Sequence, residues 1–248
     1  MADCPLCNNS GLILEGDLAR PCECIERRRL DRRLALSHLT PLLRTFTFDR
    51  FSFRYYSPHA AAPDRKYSYL DAAKRAHRAA LEFCDRYAQD GGTEGMLIQG
   101  GVGSGKTYLA CCIANRLLED GHRVLFLVVP EFLDQIRSSY DVNGNGTKES
   151  DLMEGARDVP VLILDDLGAH QYTDWSRQKI YSLVNYRVNH QLPVIVTTNI
   201  TDLSALYEHL GERTVSRLLQ MCQLWHLAVE IDIRIIKRKE SERTSQLS

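Results

Sequence analysis

The stretch that decides the fold runs from Gly100 to Thr107 and reads Gly-Gly-Val-Gly-Ser-Gly-Lys-Thr, which fits the pattern G-x-x-x-x-G-K-[ST]. A short apolar run, Met96–Ile98, precedes it, and a segment of helical periodicity at about 106–119 follows. Glycines let the backbone turn so that its N–H groups converge on phosphates, while the helix N-terminus adds positive potential. The stretch therefore predicts a phosphate-binding loop between a strand and a helix.

The side chains that close the stretch predict its ligands. Lys106 would reach the β- and γ-phosphates of a nucleotide, and the Thr107 hydroxyl would ligate Mg²⁺. A glycine-rich turn that happens to hold a lysine is the alternative, which the strand and helix on either side disfavour. We therefore expect a nucleotide and Mg²⁺ as ligands. The nucleotide contacts expected along this stretch are Gly100, Gly101, Val102, Gly103, Ser104, Gly105, Lys106, Thr107 and Tyr108.

Outward from this loop, short apolar runs alternate with helical segments. Helices are predicted at about 70–88, 106–119, 131–140 and 174–190, and strands at 96–98, 124–129, 161–164 and 194–197. Continuous apolar strands separated by helices are typical of a parallel sheet covered on both faces. The predicted fold class is therefore α/β, with one domain built around the loop.

Polar side chains follow two of these strands. Asp165 and Asp166 end the run that begins at Val161, where ligands of open α/β sheets gather. Asp165 would hold Mg²⁺ through water, and Asp166 would orient the attacking water as general base. Asn199 ends a later strand, where its amide can touch a γ-phosphate or that water. Aspartates and asparagines also form simple turns, and only the phosphate loop favours the catalytic interpretation.

Half of the eight cysteines fall within the first 24 residues, at Cys4, Cys7, Cys22 and Cys24. Four thiolates suit tetrahedral Zn²⁺, although the second pair is C-x-C rather than the commoner C-x-x-C. A disulfide or surface thiols are the alternatives, and the first is disfavoured because the start of the chain shows no export signal. The other four cysteines lie at apolar helical positions and are predicted to be packing residues (Cys84, Cys111, Cys112 and Cys222).

Composition excludes a disordered chain, because 44% of the residues are hydrophobic and 25% charged, as in globular proteins. Although the net charge is −1, the segment from Arg20 to Arg54 is basic, because it contains nine arginines and four acidic residues. The arginines at 27–33 can bind nucleic acid or form a solvated helix face. No apolar run approaches the roughly 18–20 residues of a membrane helix. We therefore expect a cytoplasmic protein without a membrane partner.

The chain divides into four predicted zones. Residues 1–26 form a zinc-binding module, 27–63 a basic and aromatic linker, 64–236 the ATPase domain and 237–248 a polar tail. The linker carries an aromatic run from Phe46 to Phe53. We expect this run to dock the linker on the ATPase core rather than to stack nucleic-acid bases.

The order of the phosphate loop, Asp165-Asp166, Thr-Thr-Asn199 and Glu-Arg213-x-x-Ser-Arg217-Leu resembles AAA+ ATPases of the initiator clade. Within that clade it is similar to replicative helicase loaders of the DnaC/DnaI type, over about residues 40–236. The resemblance implies a P-loop AAA+ core without a helical lid domain. It also implies roles for individual residues: Lys106 and Thr107 as Walker A, Asp165 and Asp166 as Walker B, Asn199 as sensor 1, Arg217 as the arginine finger, Arg213 as a second box VII arginine and Arg234 as a sensor 2 arginine.

The sequence leaves a second interpretation of Arg234 open, because Ile-Asp-Ile-Arg-Ile-Ile also alternates like an exposed edge strand. Two departures from the family pattern occur. Gly101 stands where proline is common, and Asp166 stands where many members have the longer glutamate. A shorter base predicts slow turnover.

The resemblance also implies partners. Loaders insert helices in the segment that here lies between Val129 and Val159, and these line a channel for single-stranded DNA. Arg137 and Lys148 are the only basic residues of this segment before Arg157. An N-terminal zinc module would dock on a hexameric helicase; a zinc-binding nucleic-acid module is the alternative, which the arginines at 27–33 favour. Arg217 would complete a neighbouring subunit's site in an oligomer.

These observations predict an ATP-dependent loader of a replicative helicase onto single-stranded DNA, with slow, partner-regulated ATP hydrolysis. A transposition ATPase of the IstB type shares the motif order and is the alternative, with the cysteine module arguing against it. A nucleotide-insensitive zinc adaptor is a third possibility, which the intact Lys106, Thr107, Asp165 and Asn199 oppose.

Overall fold

The computed structural model describes Cys4 and residues 6–7, 10, 12–15, 18–22, 24–25, 30, 37–61, 67–140, 149–169 and 172–246. Most of the predicted basic stretch at 27–33 therefore lies outside the described residues, and so does Lys148. All eight cysteines are described, and none of them is joined in a disulfide.

A five-stranded parallel sheet forms the centre of the described chain. Its strands are β3 (Gly95–Gln99), β4 (Val124–Val128), β5 (Val161–Asp165), β6 (Val194–Thr198) and β7 (Cys222–His226), in the spatial order β4-β5-β6-β3-β7. The three central strands are buried along their whole length, which explains their continuous apolar sequence. The predicted parallel sheet is confirmed. The edge strand β7 was not predicted, because its residues are mostly exposed or half-buried and its sequence, Cys-Gln-Leu-Trp-His, is not a continuous apolar run.

Helices cover both faces of the sheet. They are α1 (Tyr69–Asp90), α2 (Lys106–Glu119), α3 (Val129–Ser138), α4 (Glu149–Asp158), α5 (Asp174–Asn189), α6 (Leu203–Leu210), α7 (Glu212–Met221) and α8 (Ile233–Gln246). Successive strand residues point to opposite faces, so Ile98 packs with α1 and α2 while Leu97 packs with α5 and α7. Side-chain caps start several of these helices; Ser68, for example, accepts a hydrogen bond from the Asp71 N–H.

The aromatic part of the linker lies on the ATPase core, as predicted. Phe46 stacks on Tyr108 of α2 with ring centroids 4.3 Å apart. Asn115, also on α2, donates from its side-chain nitrogen to the carbonyls of Leu43 and Phe46 at 3.0 and 2.8 Å. His77 of α1 lies among three linker rings, with centroids 5.1–5.2 Å away (Phe48, Phe51 and Phe53). Ring packing and these two hydrogen bonds therefore fix the linker beside the phosphate loop.

The C-terminal segment is helical, so the edge-strand interpretation of Arg234 is wrong. Asp232 accepts a hydrogen bond from the backbone N–H of Arg234 at 2.8 Å, as an N-cap residue does, and α8 begins there. An alternating apolar pattern favours a strand when one face of that strand is buried. Here only one of the isoleucines, Ile233, is buried, so the Asp232 cap decides for a helix. The residues predicted as a polar tail lie mostly in this helix, which runs across the expected boundary at 236.

A short hairpin lies near the N-terminus. Strands β1 (Leu12–Glu15) and β2 (Leu18–Pro21) pair antiparallel, with Leu12 opposite Pro21. The hairpin brings the chain back on itself, so the two cysteine pairs flank its open end. Among the described helices, none combines the length and the hydrophobicity that a membrane crossing requires.

Candidate functional site

The phosphate loop joins β3 to α2, and Lys106 lies at its centre. The Lys106 Nζ donates to the carbonyls of Gly100 and Gly101 at 2.7 and 2.8 Å and to Asn199 Oδ1 at 2.6 Å. Burial lowers the pKa of Lys106 to about 8, against the opposing effect of Asp166 and Asp165. The lysine is therefore an enclosed donor that a phosphate can attract away from the carbonyls it now contacts.

Two glycines of the loop meet requirements that other residues would not. Gly105 has a φ of +94° at the start of α2, in the region that L side chains rarely adopt. A Cβ on Gly100 would lie 1.7 Å from the carbonyl oxygen of Leu227. The backbone of the loop is thereby pressed against the C-terminal segment, which forms one wall of the site.

The carboxylates at the end of β5 form a hydrogen-bond network with three neighbouring side chains. Asp165 accepts from the Thr107 hydroxyl at 3.0 Å and from the Thr197 hydroxyl at 2.6 Å. Burial raises the pKa of Asp165, which these two hydrogen bonds oppose. Asn199 donates from Nδ2 to Asp166 Oδ1 at 2.6 Å. The structure thus brings together the residues predicted as Walker A, Walker B and sensor 1.

Sequence reasoning missed Thr197. Its hydroxyl donates to Asp165 and accepts from the backbone N–H of Asp166 at 2.9 Å. Asp166 itself has a φ of +61°, so this hydrogen bond fixes an unfavourable backbone geometry at the carboxylate pair. Leu164 of β5 pairs with Val196 of β6, so the residues that follow them, Asp165 and Thr197, lie side by side. The signal in the sequence was that Thr197, like Asp165, stands at the end of an apolar run.

A cavity of about 380 Å³ opens over the loop. Its polar end carries Lys106, Thr107, the two aspartates and Asn199, and its other end is aromatic. The aromatic and C-terminal lining consists of Phe46, Arg50, Phe51, Ser52, Tyr55, Tyr56, Tyr108, Val128, Ile233, Arg234 and Lys237. A phosphate chain fits the polar end, since backbone N–H groups and a lysine converge there, and a flat base fits the aromatic end. The residues present therefore fit a nucleoside triphosphate with Mg²⁺ on Thr107 and Asp165.

The three predicted arginines lie in different places. Arg234 lines the cavity and pairs with Asp232, to which its Nη2 donates at 2.9 Å. Arg213 and Arg217 lie on α7 and are not among the residues that line the cavity. Arg217 is half-buried and donates to Gln220 Oε1 at 2.9 Å.

The four N-terminal cysteines form a compact sulfur cluster. All four Sγ atoms lie within 4.8 Å of one another, with Cys4 and Cys22 at 3.7 Å and Cys7 and Cys24 at 3.3 Å. Tetrahedral zinc with bonds of about 2.3 Å requires sulfurs about 3.8 Å apart. The donor set and its spacing therefore fit Zn²⁺, which would neutralise thiolate charge and tie the two cysteine pairs together.

A second polar surface lies where the segment between β4 and β5 meets α5. The guanidinium of Arg137 lies 5.4 Å from the centroid of the Trp175 ring, and Lys179 Nζ lies 5.8 Å from it. Tyr140 meets the same ring edge-on at 6.3 Å. We call these four residues the tryptophan patch. Sequence reasoning found Arg137 but missed Trp175, because the tryptophan comes from α5, far along the chain.

This sheet, its phosphate loop and the carboxylates at its edge have the fold of P-loop ATPases of the AAA+ type. The chain belongs to the family of IstB-like ATP binding proteins, whose profile matches residues 18–234. The predicted kinship with AAA+ ATPases of the helicase-loader type is confirmed by the relatives that follow.

Two curated relatives are named as replicative helicase loaders. DnaI of Bacillus subtilis is 32% identical over 121 residues, which cover 48% of this chain and 38% of that protein. DnaC of Escherichia coli is 26% identical over 156 residues, covering 63% of this chain and 60% of that protein. The chain thus spans between about two fifths and three fifths of the length of these relatives.

Solved structures share the fold at low identity. The DnaC helicase loader superposes with a TM-score of 0.56 and 23% identity, covering 77% of this chain and 100% of that chain. AMPPCP-bound DnaA from Aquifex aeolicus gives a TM-score of 0.60 with 18% identity, covering 83% of this chain and 56% of that chain. At these identities the likeness concerns the fold alone.

Proposed function

We propose that this protein is an ATP-dependent loader that places a hexameric replicative DNA helicase on single-stranded DNA. The observation that carries the proposal is the pairing, in one chain, of an assembled nucleotide site with a compact cysteine cluster. Kinship with proteins named as helicase loaders supports the choice of partner. The proposed domains are a zinc module at 1–26, a linker at 27–63 and an ATPase domain from 64, which we extend to the end of α8.

The nucleotide site supports slow ATP hydrolysis. Lys106 would hold the β- and γ-phosphates, and Arg234 would contact the nucleotide from the cavity wall. Thr107 and Asp165 would hold Mg²⁺, which neutralises phosphate charge. Asp166 would orient the attacking water, and Thr197 holds the backbone at this pair of aspartates.

Asn199 would link nucleotide binding to the carboxylates. It accepts from Lys106 through Oδ1 and donates to Asp166 through Nδ2, so it joins the phosphate-binding and water-orienting groups. A phosphate that draws Lys106 away frees this oxygen for the γ-phosphate or the attacking water. The asparagine thus acts as a sensor of the nucleotide.

The proposed partner site for the helicase is the zinc module. We expect helicase and this protein to co-purify in the presence of ATP, with Cys4→Ser abolishing the complex but leaving ATP binding within twofold of the original chain. Ala19→Ser is the matched control, because Ala19 is exposed on β2, between the two cysteine pairs. A Cys4→Ser complex that survives washing would move the partner site out of the module.

The nucleotide dependence of loading is tested with Lys106→Ala. We expect this variant to lose ATP binding and helicase delivery to a single-stranded circle, because the phosphates lose their buried cation. Lys74→Ala, an exposed lysine of α1, is the control and should deliver helicase normally. Delivery by Lys106→Ala at the original rate would refute ATP-dependent loading.

Single-stranded DNA is proposed to bind at the tryptophan patch. Aromatic rings with a cation beside them suit stacked bases and a phosphate backbone. Arg137 supplies that cation, because Lys179 is ion-paired with Glu149. Trp175→Ala should weaken binding of an oligothymidine several-fold. Arg137→Ala should reduce the salt dependence of that binding constant by about the contribution of one phosphate contact. Arg78→Ala, on the exposed face of α1, is the control. Unchanged affinity and salt slope in both patch variants would exclude this surface. Lys148, predicted as a further contact, stays a prediction.

A transposition ATPase is the second candidate, favoured by the family profile, which carries the IstB name. Such a protein would act on duplex DNA beside a transposase. Capture of a transposase instead of a hexameric helicase, together with tighter binding to duplex than to single-stranded DNA, would support this candidate over loading.

A further inference from the structure

We propose that Tyr56 is a positioning residue for nucleotide binding, which fixes the peptide between Ser104 and Gly105 in the phosphate loop. Tyr56 lies at the end of the docked linker, is 3% exposed and donates its hydroxyl to the Ser104 carbonyl at 2.8 Å. The inference rests on the ATP-binding part of the proposed function. It adds a residue that lies in none of the motifs named above.

The geometry of a peptide bond explains why one hydroxyl matters. The bond after Ser104 is trans, so its carbonyl and the N–H of Gly105 lie in one plane and point in opposite directions. Tyr56 holds the carbonyl on the linker side. The Gly105 N–H therefore points away from the Tyr56 hydroxyl, which leaves it available to donate to a phosphate oxygen, as backbone N–H groups of such loops do.

The surroundings of the hydroxyl make it a fixed donor. The Tyr56 ring stacks on Phe51 with centroids 5.9 Å apart and planes 15° apart. Burial raises the pKa of Tyr56 well above its ordinary value, so the hydroxyl keeps its proton. A Cβ on Gly105 would lie 2.8 Å from the same oxygen, which shows how closely the ring is seated against the loop backbone.

The same contact links the loop to the N-terminal half of the chain. Asn115 fixes the linker at Leu43 and Phe46, and the chain then passes along the cavity wall to Tyr56. A partner that pulls the linker from the core would withdraw this hydroxyl and release the peptide at Ser104. By reciprocity, bound ATP would hold the linker on the core more tightly.

The test replaces only the hydroxyl, in Tyr56→Phe, and uses Tyr87→Phe as the matched control. No hydrogen bond of the Tyr87 hydroxyl is seen among the described residues, and this residue does not line the cavity. The probe is a fluorescent ATP analogue. We expect its Kd and the KM for ATP to rise about tenfold in Tyr56→Phe, the effect of one lost buried hydrogen bond. The kcat at saturating ATP should stay within twofold, and the control should match the original chain.

Trypsin provides a second measurement, because Arg50 and Arg54 of the linker are exposed. ATP should slow cleavage at these residues in the original chain and have a smaller effect in Tyr56→Phe. A variant with lowered Tm but unchanged Kd and unchanged ATP protection has lost stability alone, which overturns the inference. If the original chain fails to bind ATP, the proposed function itself fails; if it binds and Tyr56→Phe binds equally well, only the role of Tyr56 is lost.

Discussion

Single hydroxyl and amide groups determine the geometry of this site. Thr197 fixes Asp165 and the backbone of Asp166, and Asn199 joins Lys106 to the same pair. None of these contacts is visible in a motif, because each joins residues about 30 or more positions apart in the chain. They follow from the neighbouring positions of β3, β5 and β6 in the sheet.

Removing the Thr197 hydroxyl is expected to slow hydrolysis more than it weakens ATP binding. Thr197→Val keeps the shape and β-branching of the residue but leaves Asp165 and the Asp166 N–H without this partner. We expect kcat to fall roughly tenfold or more, as for other groups that orient metal ligands. Thr201→Val, an exposed threonine beyond the strand, should leave kcat unchanged. A larger change in Kd for ATP than in kcat would contradict this role.

His77 should make the docking of the linker depend on pH. Burial among linker rings lowers its pKa below the ordinary 6.5, against the opposing effects of the Phe48 carbonyl and Asp49. The folded protein then binds fewer protons than the unfolded chain below about pH 6.5, so the free energy of unfolding falls as the pH falls. Denaturant melts between pH 7 and 5 measure this slope. His77→Gln should reduce it, and His59→Gln, at an exposed site, should not.

Elements are joined in this protein by buried polar groups as well as by apolar packing. Arg187 of α5 is fully buried, and its guanidinium donates to backbone carbonyls at 2.8–3.2 Å (Ala156, Arg157, Val159, Pro160 and Pro193). These carbonyls belong to the end of α4 and to the segments that lead into β5 and β6. One side chain thus replaces several backbone donors at the edge of the sheet opposite the nucleotide site.

Arg187→Met is therefore expected to destabilise the fold strongly. Each buried carbonyl left without a donor costs about 1–3 kcal/mol, and the relief of burying a charge offsets part of the sum. We expect a loss of about 3 kcal/mol in the free energy of unfolding, measured by urea denaturation. Arg78→Met on α1 should change it by less than about 0.5 kcal/mol. A loss below about 1 kcal/mol in Arg187→Met would show that water replaces the guanidinium.

At the scale of the whole molecule, the predicted arginine finger is not among the residues that line the nucleotide cavity of its own chain. Arg217 lies on α7 and does not line the nucleotide site of the same chain. We propose that Arg217 acts instead on the nucleotide of a neighbouring subunit, which would make hydrolysis depend on assembly. The linker forms part of the wall of the same cavity, so partner binding at the proposed zinc module and assembly of subunits would both act on one nucleotide.

Arg217→Ala tests this arrangement. In the original chain, ATP turnover per subunit should rise with protein concentration as oligomers form. The variant should bind ATP normally but lose that rise, with a loss of at least about tenfold at high concentration. Gln220→Ala, which removes the neighbour that accepts from Arg217, should keep most of the activity. Turnover that is independent of concentration in the original chain would exclude an arginine supplied by a neighbour.

The sequence alone determined the phosphate loop, four of the five strands of the sheet, the helices α1, α2, α3 and α5, and the cysteine cluster. These features depend on local spacing: glycines beside a lysine, apolar runs of one period, and paired thiols around a hairpin. Tertiary structure decided the rest. Thr197, Trp175 and Tyr56 join the sites through contacts between distant segments, and α8 forms because Asp232 caps it where the alternating isoleucines also allowed a strand. Such contacts leave no periodicity in a chain, because they arise only when the sheet brings its strand ends and the linker together.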